Sequence, residues 1–506
     1  MNRLSDSTLA ALPAAVRRPR YDRRALRTGI VHLGAGAFQR AHLAAATEAA
    51  LHAGGDLRWG ITGVSLHSAG TRDALAPQDG LYTLALRDAD AAGAAREQLQ
   101  VIGAMARVLV APEDPGAVLD AIAHPDTRIA SLTVTEKGYH HDPASGALRR
   151  DDADIRHDLA NPAAPRSTLG FLVHGLQRRR RRGLGPLTLL SCDNLPANGG
   201  TLRGLVLAFA TEVDPALQAW IAGQCTFPNS MVDRIVPRTT DADRERIGAA
   251  LGQHDAWPVV GEPFFEWVVE DRFAAGRPDW SAGGARFVAD AGPFERLKLR
   301  MVNGSHSALA YLGAMAGLHT VDRAVAEPAL RRFIDAMMRD EIAPTLPPLP
   351  GLDLDAWRAG LLQRFANPAL QHQTRQIAMD GSQKLPQRLL GTLRDRLGTG
   401  ASIEHLALAV AAWIHYLRGR DETGAPYEIQ DPLADALARQ RALAEAAHDE
   451  VERIALFCRF APVFGDLGAD PRFVQTVARH TGSLRAQGVL ATVNRLGPVN
   501  AMGGLA

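Results

Sequence analysis

The sequence predicts an α/β fold, with a parallel-sheet domain over residues 1–287 followed by a mainly α-helical domain over residues 288–506. Three observations carry this expectation. The chain's 506 residues exceed the roughly 250–300 at which a single hydrophobic core stops growing. Short apolar runs alternate with helical segments through the first half, the pattern of parallel strands covered by helices. From about Phe294 onward the chain turns to long helical segments with few strands.

Taken in order, residues 1–28 are a polar, basic approach segment, and Gly29-Ile30-Val31-His32-Leu33 is a buried strand that ends at glycine. The alanine-rich stretch 41–53 is a helix stopped by Gly54-Gly55. Further strands are expected at Gly60-Ile61-Thr62-Gly63-Val64, Ile129-Ala130-Ser131-Leu132-Thr133-Val134-Thr135 and Leu187-Thr188-Leu189-Leu190-Ser191-Cys192. In the second domain, helices are expected over 295–318, 328–340 and 403–417, with the proline-rich stretch 344–350 as an interhelical connection. There is no internal repeat at solenoid periods.

Composition narrows the classes of function. Hydrophobic residues make up 46% and charged residues 22%, ordinary globular usage. Lysine plus arginine, 56, nearly cancels aspartate plus glutamate, 55, so no global field recruits nucleic acid or an acidic membrane. The run of arginines at 178–182 follows a helical segment ending at Gln177, where cations complement the helix dipole. A nucleic-acid patch is the alternative reading, but the run has no aromatic or basic companion segments. Cys192, Cys225 and Cys458 are odd in number and lack zinc-site spacing, which fits a reducing cytoplasm. No signal peptide or membrane span is expected.

Gly34-Ala35-Gly36-Ala37-Phe38-Gln39 follows the first strand and opens a helix, the setting in which backbone approaches a pyrophosphate at a helix N-terminus. Gly34, Gly36, Ala37 and Phe38 are therefore expected to bind a dinucleotide in a Rossmann-type domain, with a tight structural turn as the other reading. Gln39 stands where a third glycine is usual. No early carboxylate follows the second strand; Asp73 is late, and Arg72 could neutralise a 2′-phosphate. NAD is the expected cofactor, with NADP left open.

The densest polar grouping on an otherwise apolar helix is Lys298-Leu299-Arg300-Met301-Val302-Asn303-Gly304-Ser305-His306. At about 100° per residue, Lys298, Asn303 and His306 fall within an arc of roughly 140° and can face one pocket. Alcohol oxidation by hydride transfer needs a base for the hydroxyl proton and donors for the developing alkoxide. A desolvated lysine and an asparagine amide supply these. A solvated basic face with a capping asparagine is the other reading. Ser191-Cys192-Asp193-Asn194 lies beyond the C-terminal end of an expected parallel strand, where ligands bind in open α/β sheets, and Asn194 would be a second donor. The same residues followed by Leu195-Pro196 also read as a turn.

With these residues in view, nearly the whole chain resembles the polyol-specific long-chain dehydrogenase (mannitol dehydrogenase) family. The likeness rests on Gly34 through His42, Thr133-Val134-Thr135-Glu136-Lys137-Gly138-Tyr139, Ser191 through Asn194, Met231-Val232-Asp233-Arg234-Ile235, and Lys298 through His306. The resemblance implies Lys298 as general base and Asn194 with Asn303 as oxyanion hole, without a metal. It further implies His306 and Lys384 as substrate-binding residues and Asp233 on the nicotinamide side, and a monomer or small homo-oligomer acting on a sugar acid or polyol.

Two positions bear on the substrate. The family's mannitol-oxidising branch resembles itself in carrying an arginine where this chain has Gln376 and a small residue where it has Lys137. Lys137 would complement a substrate carboxylate. The expectation is D-mannonate/D-fructuronate, with D-mannitol/D-fructose as the alternative, because Asp193 through Gly199 and Asp255 through Val260 resemble the mannitol branch at least as well. A non-catalytic dinucleotide-binding sensor is the remote alternative.

Overall fold

The structure, a computed structural model, describes residues 2–89, 95–142, 145–349 and 352–496. Two compact units emerge, Met1–Glu295 and Arg296–Ala506; the 287/288 division expected from the sequence lies within the last strand of the first unit.

Among its described residues the first unit holds eleven strands: β1 Thr28–Leu33, β2 Gly60–Ser65, β3 Tyr82–Ala89, β4 Ala95–Ile102, β5 Met105–Val110, β6 Ile129–Leu132, β7 Thr188–Ser191, β8 Ser230–Asp233, β9 Val259–Gly261, β10 Glu266–Glu270 and β11 Ala285–Val288. Five of them form a parallel sheet in the order β5-β2-β1-β6-β7. β6 and β7 are buried along their whole length, as near-continuous apolar strands are when both faces are covered. The chain winds outward from β1 through β2 to β5, then returns to the other side of β1 with β6. The topological switch point therefore lies between β1 and β6, and the crevice at the carboxyl ends of those strands is where such sheets bind ligands. Two three-stranded sheets, β11-β10-β8 and β4-β3-β9, complete the unit.

Two local expectations change. The helix expected over 41–53 begins earlier, at Ala37, and is broken at His42 into Ala37–Ala41 and Leu43–His52. The helix expected to end at Gln177 runs over Thr168–Arg181, so the arginine run forms its last turn. Those arginines are engaged locally. Arg178 and Arg182 pair with Asp120, Arg180 with Asp214, and Arg179 donates to the carbonyls of Ile122, His124 and Gly185.

The second unit is helical. Its centre is Glu404–Tyr416, with every residue from His405 onward buried, as expected of a helix apolar on all sides. The fully buried Glu341 carboxylate closes its N-terminus, accepting from the amides of His405 (3.0 Å) and Leu406 (2.8 Å). The expected helices 295–318 and 328–340 are interrupted by π-helical turns at Lys298–Gly304 and Met337–Ile342. A third π-helical turn, Pro386–Leu390, begins at a proline, which cannot donate the ordinary helical hydrogen bond. The connection expected at 344–350 follows a short 3-10 turn, Ala343–Thr345, with Pro350 outside the described residues. Among the described residues no helix is long and apolar enough to cross a membrane.

Candidate active site

The glycine loop sits at the switch point, directly after β1. Gly34 has φ +89°, and a Cβ there would lie 2.1 Å from the Thr133 carbonyl oxygen, so the turn requires glycine for the protein's own packing. Gly36 differs. It is the exposed N-cap residue of Ala37–Ala41, and the nearest heavy atom to an added Cβ would be Gly34 O at 3.8 Å. No side chain caps that helix, so its first amides are left for another acceptor. An open backbone at this place fits the approach of a dinucleotide pyrophosphate. Ala37 and Phe38 follow, half-buried, with Phe38 stacked on the His42 ring at 4.9 Å. Gln39 is fully buried, and neither of its amide atoms has a hydrogen-bond partner among the described residues.

Beside the glycine loop, the exits of β6 and β7 are tied into one partly buried network. The Asp193 carboxylate accepts from the amides of Val134 (3.0 Å) and Thr135 (3.0 Å) and from the Tyr139 hydroxyl (2.9 Å). Ser191 Oγ lies 2.5 Å from that hydroxyl and, since Tyr139 donates to Asp193, donates to it. Burial pushes the Asp193 carboxyl up to about 6, although all three donors pull it down. Thr133 Oγ1 donates to Gly34 O and accepts from His32 Nε2, while His32 Nδ1 accepts from Ser131, which makes this buried ring the neutral Nε2-H tautomer. Burial lowers its pKa to about 3.

Thr135 is held at φ +62°, a strained conformation for a β-branched residue and one that clusters at functional sites. Lys137 lies exposed in the following turn, Glu136–Tyr139. Asn194 is exposed at the exit of β7. The buried Asn198 amide then joins this exit to β8, donating to Asp193 O (3.0 Å) and Ser230 O (2.8 Å) and accepting from Ser230 N (2.9 Å). β8 ends at Asp233, which is buried. Its neighbour Arg234 donates to the carbonyls of Ala41, Pro263 and Phe264.

In the second unit Lys298 is 5% exposed and Asn303 8% exposed, at opposite ends of the π-helical turn. The 100° wheel used to place them on one face does not hold over this turn, because i→i+5 bonding turns less per residue. Gly304 closes the turn against the third π-helical turn, Pro386–Leu390, where its Cβ would lie 2.8 Å from Arg388 O. His306 stacks on Phe365 at 5.1 Å and meets His372 edge-on at 5.1 Å. Burial first, then the charges of His372, Arg388, Arg364 and Lys384, hold the His306 pKa well below the ordinary imidazole value. Asn303 Nδ2 and His306 Nε2 are buried without a hydrogen-bond partner among the described residues. Lys384 Nζ donates to the carbonyls of Met379 (2.5 Å) and Ile377 (3.2 Å), and Gln376 is exposed on Thr374–Ala378.

The sequence assigns no role to Tyr139, Ser191 and Asn198, which lie in its family-like segments and fix the strand exits, and does not single out Phe365 and His372, which pack on His306. One metal-ligand-like group occurs among the described residues, His140 with Asp152 and Asp154. Asp152 there already pairs with His140 at 3.1 Å and caps the helix Ala153–Ala160.

The geometry can be set beside known proteins. Residues 28–282 match the mannitol dehydrogenase Rossmann domain, and residues 290–485 match the mannitol dehydrogenase C-terminal domain. The chain is 46% identical to D-mannonate oxidoreductase of Escherichia coli K12 over 90% of this chain and 92% of that one. It is 39% identical to mannitol 2-dehydrogenase of Pyricularia oryzae over 97% and 98% of the two chains. The structure of Pseudomonas fluorescens mannitol 2-dehydrogenase in ternary complex with NAD and D-mannitol matches with a TM-score of 0.89 at 39% identity, covering 98% of this chain and 99% of that one. The chain therefore belongs to the mannitol dehydrogenase family of oxidoreductases, with both the Rossmann and the C-terminal domain of that family present.

Proposed function

We propose that this protein interconverts D-mannonate and D-fructuronate with NAD as its cofactor and without a metal. The observation that carries the substrate reading is the 46% identity to D-mannonate oxidoreductase, against 39–40% for the mannitol 2-dehydrogenases. Lys137, exposed beyond the end of β6, supports it as a cation placed for a carboxylate-bearing substrate.

In this reading the Lys298 amine takes the proton of the substrate's secondary hydroxyl, and the amides of Asn303 and Asn194 donate to the same oxygen as its charge grows. Burial of the Lys298 amine and of the Asn303 amide suits these tasks, because low local dielectric strengthens their action on a developing alkoxide, and Asn303 Nδ2 has no hydrogen-bond partner among the described residues. His306, held neutral, orients a neighbouring hydroxyl through Nε2, and Lys384 and Gln376 contact further substrate oxygens. The nicotinamide, when bound, supplies the hydride acceptor or donor. Gly34, Gly36, Ala37 and Phe38 hold the dinucleotide, with Asp233 on its nicotinamide side. NAD is favoured over NADP because Arg72 is bridged to both Asp73 and Glu113, so its charge is already neutralised.

The test is a comparison of kcat/KM for D-fructuronate and D-fructose, with NADH and with NADPH. A carboxylate contact of about 3 kcal/mol corresponds to a preference of about 100-fold for the uronate. Equal or reversed values would transfer the assignment to D-mannitol/D-fructose, the reading that the similarly related mannitol 2-dehydrogenases support.

A further inference from the structure

The helical unit contains a small pocket, partly open to solvent, that the dehydrogenase reading leaves unused. Four guanidinium groups line it, those of Arg418, Arg441, Arg453 and Arg485, over an apolar floor that includes Ile454 and Phe457. They come from separate elements: Arg418 follows the helix Glu404–Tyr416, Arg441 lies on Ala434–Glu445, Arg453 on Glu450–Cys458, and Arg485 in the last turn of Pro471–Gln487.

Local partners do not balance this charge. Arg453 pairs with Glu450 and lies 3.9 Å from Glu445; Arg485 reaches the same two carboxylates only at 3.8 and 3.9 Å. Arg441 donates to Leu417 O at 3.1 Å, at the end of the helix Glu404–Tyr416. A helix C-terminus offers about half a negative charge. Four cations against two carboxylates and that half charge leave an excess of more than one positive charge.

His415 also lines this pocket. Arg418 Nη1 lies 3.0 Å from His415 Nε2, and since arginine only donates, the ring proton sits on Nδ1. That Nδ1-H is buried and has no acceptor among the described residues, in a side chain that lines the cavity and is only 7% exposed. Burial and the neighbouring Arg418 and Arg485 lower the His415 pKa to about 4.

We propose that this cavity is a binding site for a phosphate group, carried either by inorganic phosphate or by a small phosphorylated metabolite. Guanidinium forks match oxyanions bidentately, and the apolar floor strengthens the attraction by lowering the local dielectric. A phosphate carries about −1.5 to −2 at pH 7, which balances the excess, whereas a carboxylate leaves part of it uncompensated. His415 Nδ1-H completes the set by donating to a phosphate oxygen.

Isothermal titration of the full-length protein at pH 7, at ionic strength held constant with sodium chloride, tests this with inorganic phosphate and, separately, a hexose phosphate. Saturable binding is expected, weakened about tenfold or more in Arg485→Gln and in Arg441→Gln, the loss of one charge-assisted contact. Arg485 has a 35% exposed side chain, so the first variant should keep the wild-type melting temperature without phosphate. Saturating phosphate should also move the His415 titration, followed by NMR, upward from about 4. Tighter binding of the hexose phosphate would identify a metabolite as occupant, and tighter binding of inorganic phosphate the free ion. Absence of saturable binding to the folded protein, or equal binding by wild type and both variants, would overturn the proposal.

Discussion

The Tyr139 hydroxyl donates to the Asp193 carboxylate at 2.9 Å, and this one contact joins the turn after β6 to the exit of β7. With the Val134 and Thr135 amides on the same carboxylate, it holds Asn194 and Lys137 on a common frame at the mouth of the parallel sheet.

Asp193→Ala leaves two amides and a hydroxyl without their acceptor. The Thr135 amide is open to solvent, so the other two donors set the cost: at about 1–3 kcal/mol per unsatisfied group, we expect an unfolding free energy lower by about 2 kcal/mol in urea titration, together with reduced kcat. The pH dependence has a definite sign. A carboxyl whose folded pKa is raised to about 6 favours folding when protonated, and that contribution is lost as pH rises from its unfolded value through 6. Asp193→Asn, which cannot ionise, should therefore compare better with wild type at pH 7 than at pH 4. A stability difference that does not change with pH would contradict the assignment.

The buried imidazoles act in the opposite direction. His32 is lowered to about 3, and His372 and His415 to about 4, each chiefly by burial. Their stabilisation is complete above the unfolded value of about 6.5 and is lost as pH falls toward the folded values. At pH 5 each contributes about 2 kcal/mol less than at pH 7, of which Asp193 restores only about 1 kcal/mol. Urea midpoints should fall clearly between pH 7 and pH 5; unchanged midpoints would show that these rings are already charged in the folded state.

The glycine loop divides into one residue that packing requires and one with open space around it. Gly34→Ala should prevent accumulation of folded protein, because its Cβ would meet Thr133 O at 2.1 Å. Gly36→Ala meets nothing closer than 3.8 Å and should melt like wild type, while binding NADH about tenfold more weakly by fluorescence titration, a change of about 1.4 kcal/mol. Unaltered NADH affinity in Gly36→Ala would remove that residue from the cofactor site.

Gly304→Ala tests the contact between the two π-helical turns. A Cβ 2.8 Å from Arg388 O must displace one of them, at about 1–3 kcal/mol, and Asn303 is the adjacent residue. We expect a lower melting temperature and a fall in kcat, with NADH affinity retained. Unchanged kcat would uncouple this packing from the reaction.

What was legible in the sequence follows from how local each signal is. The glycine loop, the strands that flank it and the change to helices after Phe294 are written in contiguous residues, and they could be read directly. The Lys298 segment was recognisable by its polar residues, but its geometry was not, because the α-helical wheel assumed a period that the π-helical turn lacks. The Asp193 network depends on β6 and β7 lying side by side, and nothing between residues 139 and 191 announces that pairing. Arg72 seemed available for a 2′-phosphate until the fold brought Glu113 to it from 41 residues away. His372 and Phe365 touch His306 through tertiary packing of separate segments, which no spacing rule anticipates.

The most direct test of the catalytic account is the single-turnover rate of Lys298→Ala with saturating NADH and D-fructuronate, measured alongside NADH affinity. In this direction Lys298 returns to the new alkoxide the proton it takes in oxidation, and its loss predicts a rate lower by about 10²–10⁴-fold with NADH binding unchanged. A rate within a few-fold of wild type would show that the proton reaches the substrate oxygen by another route.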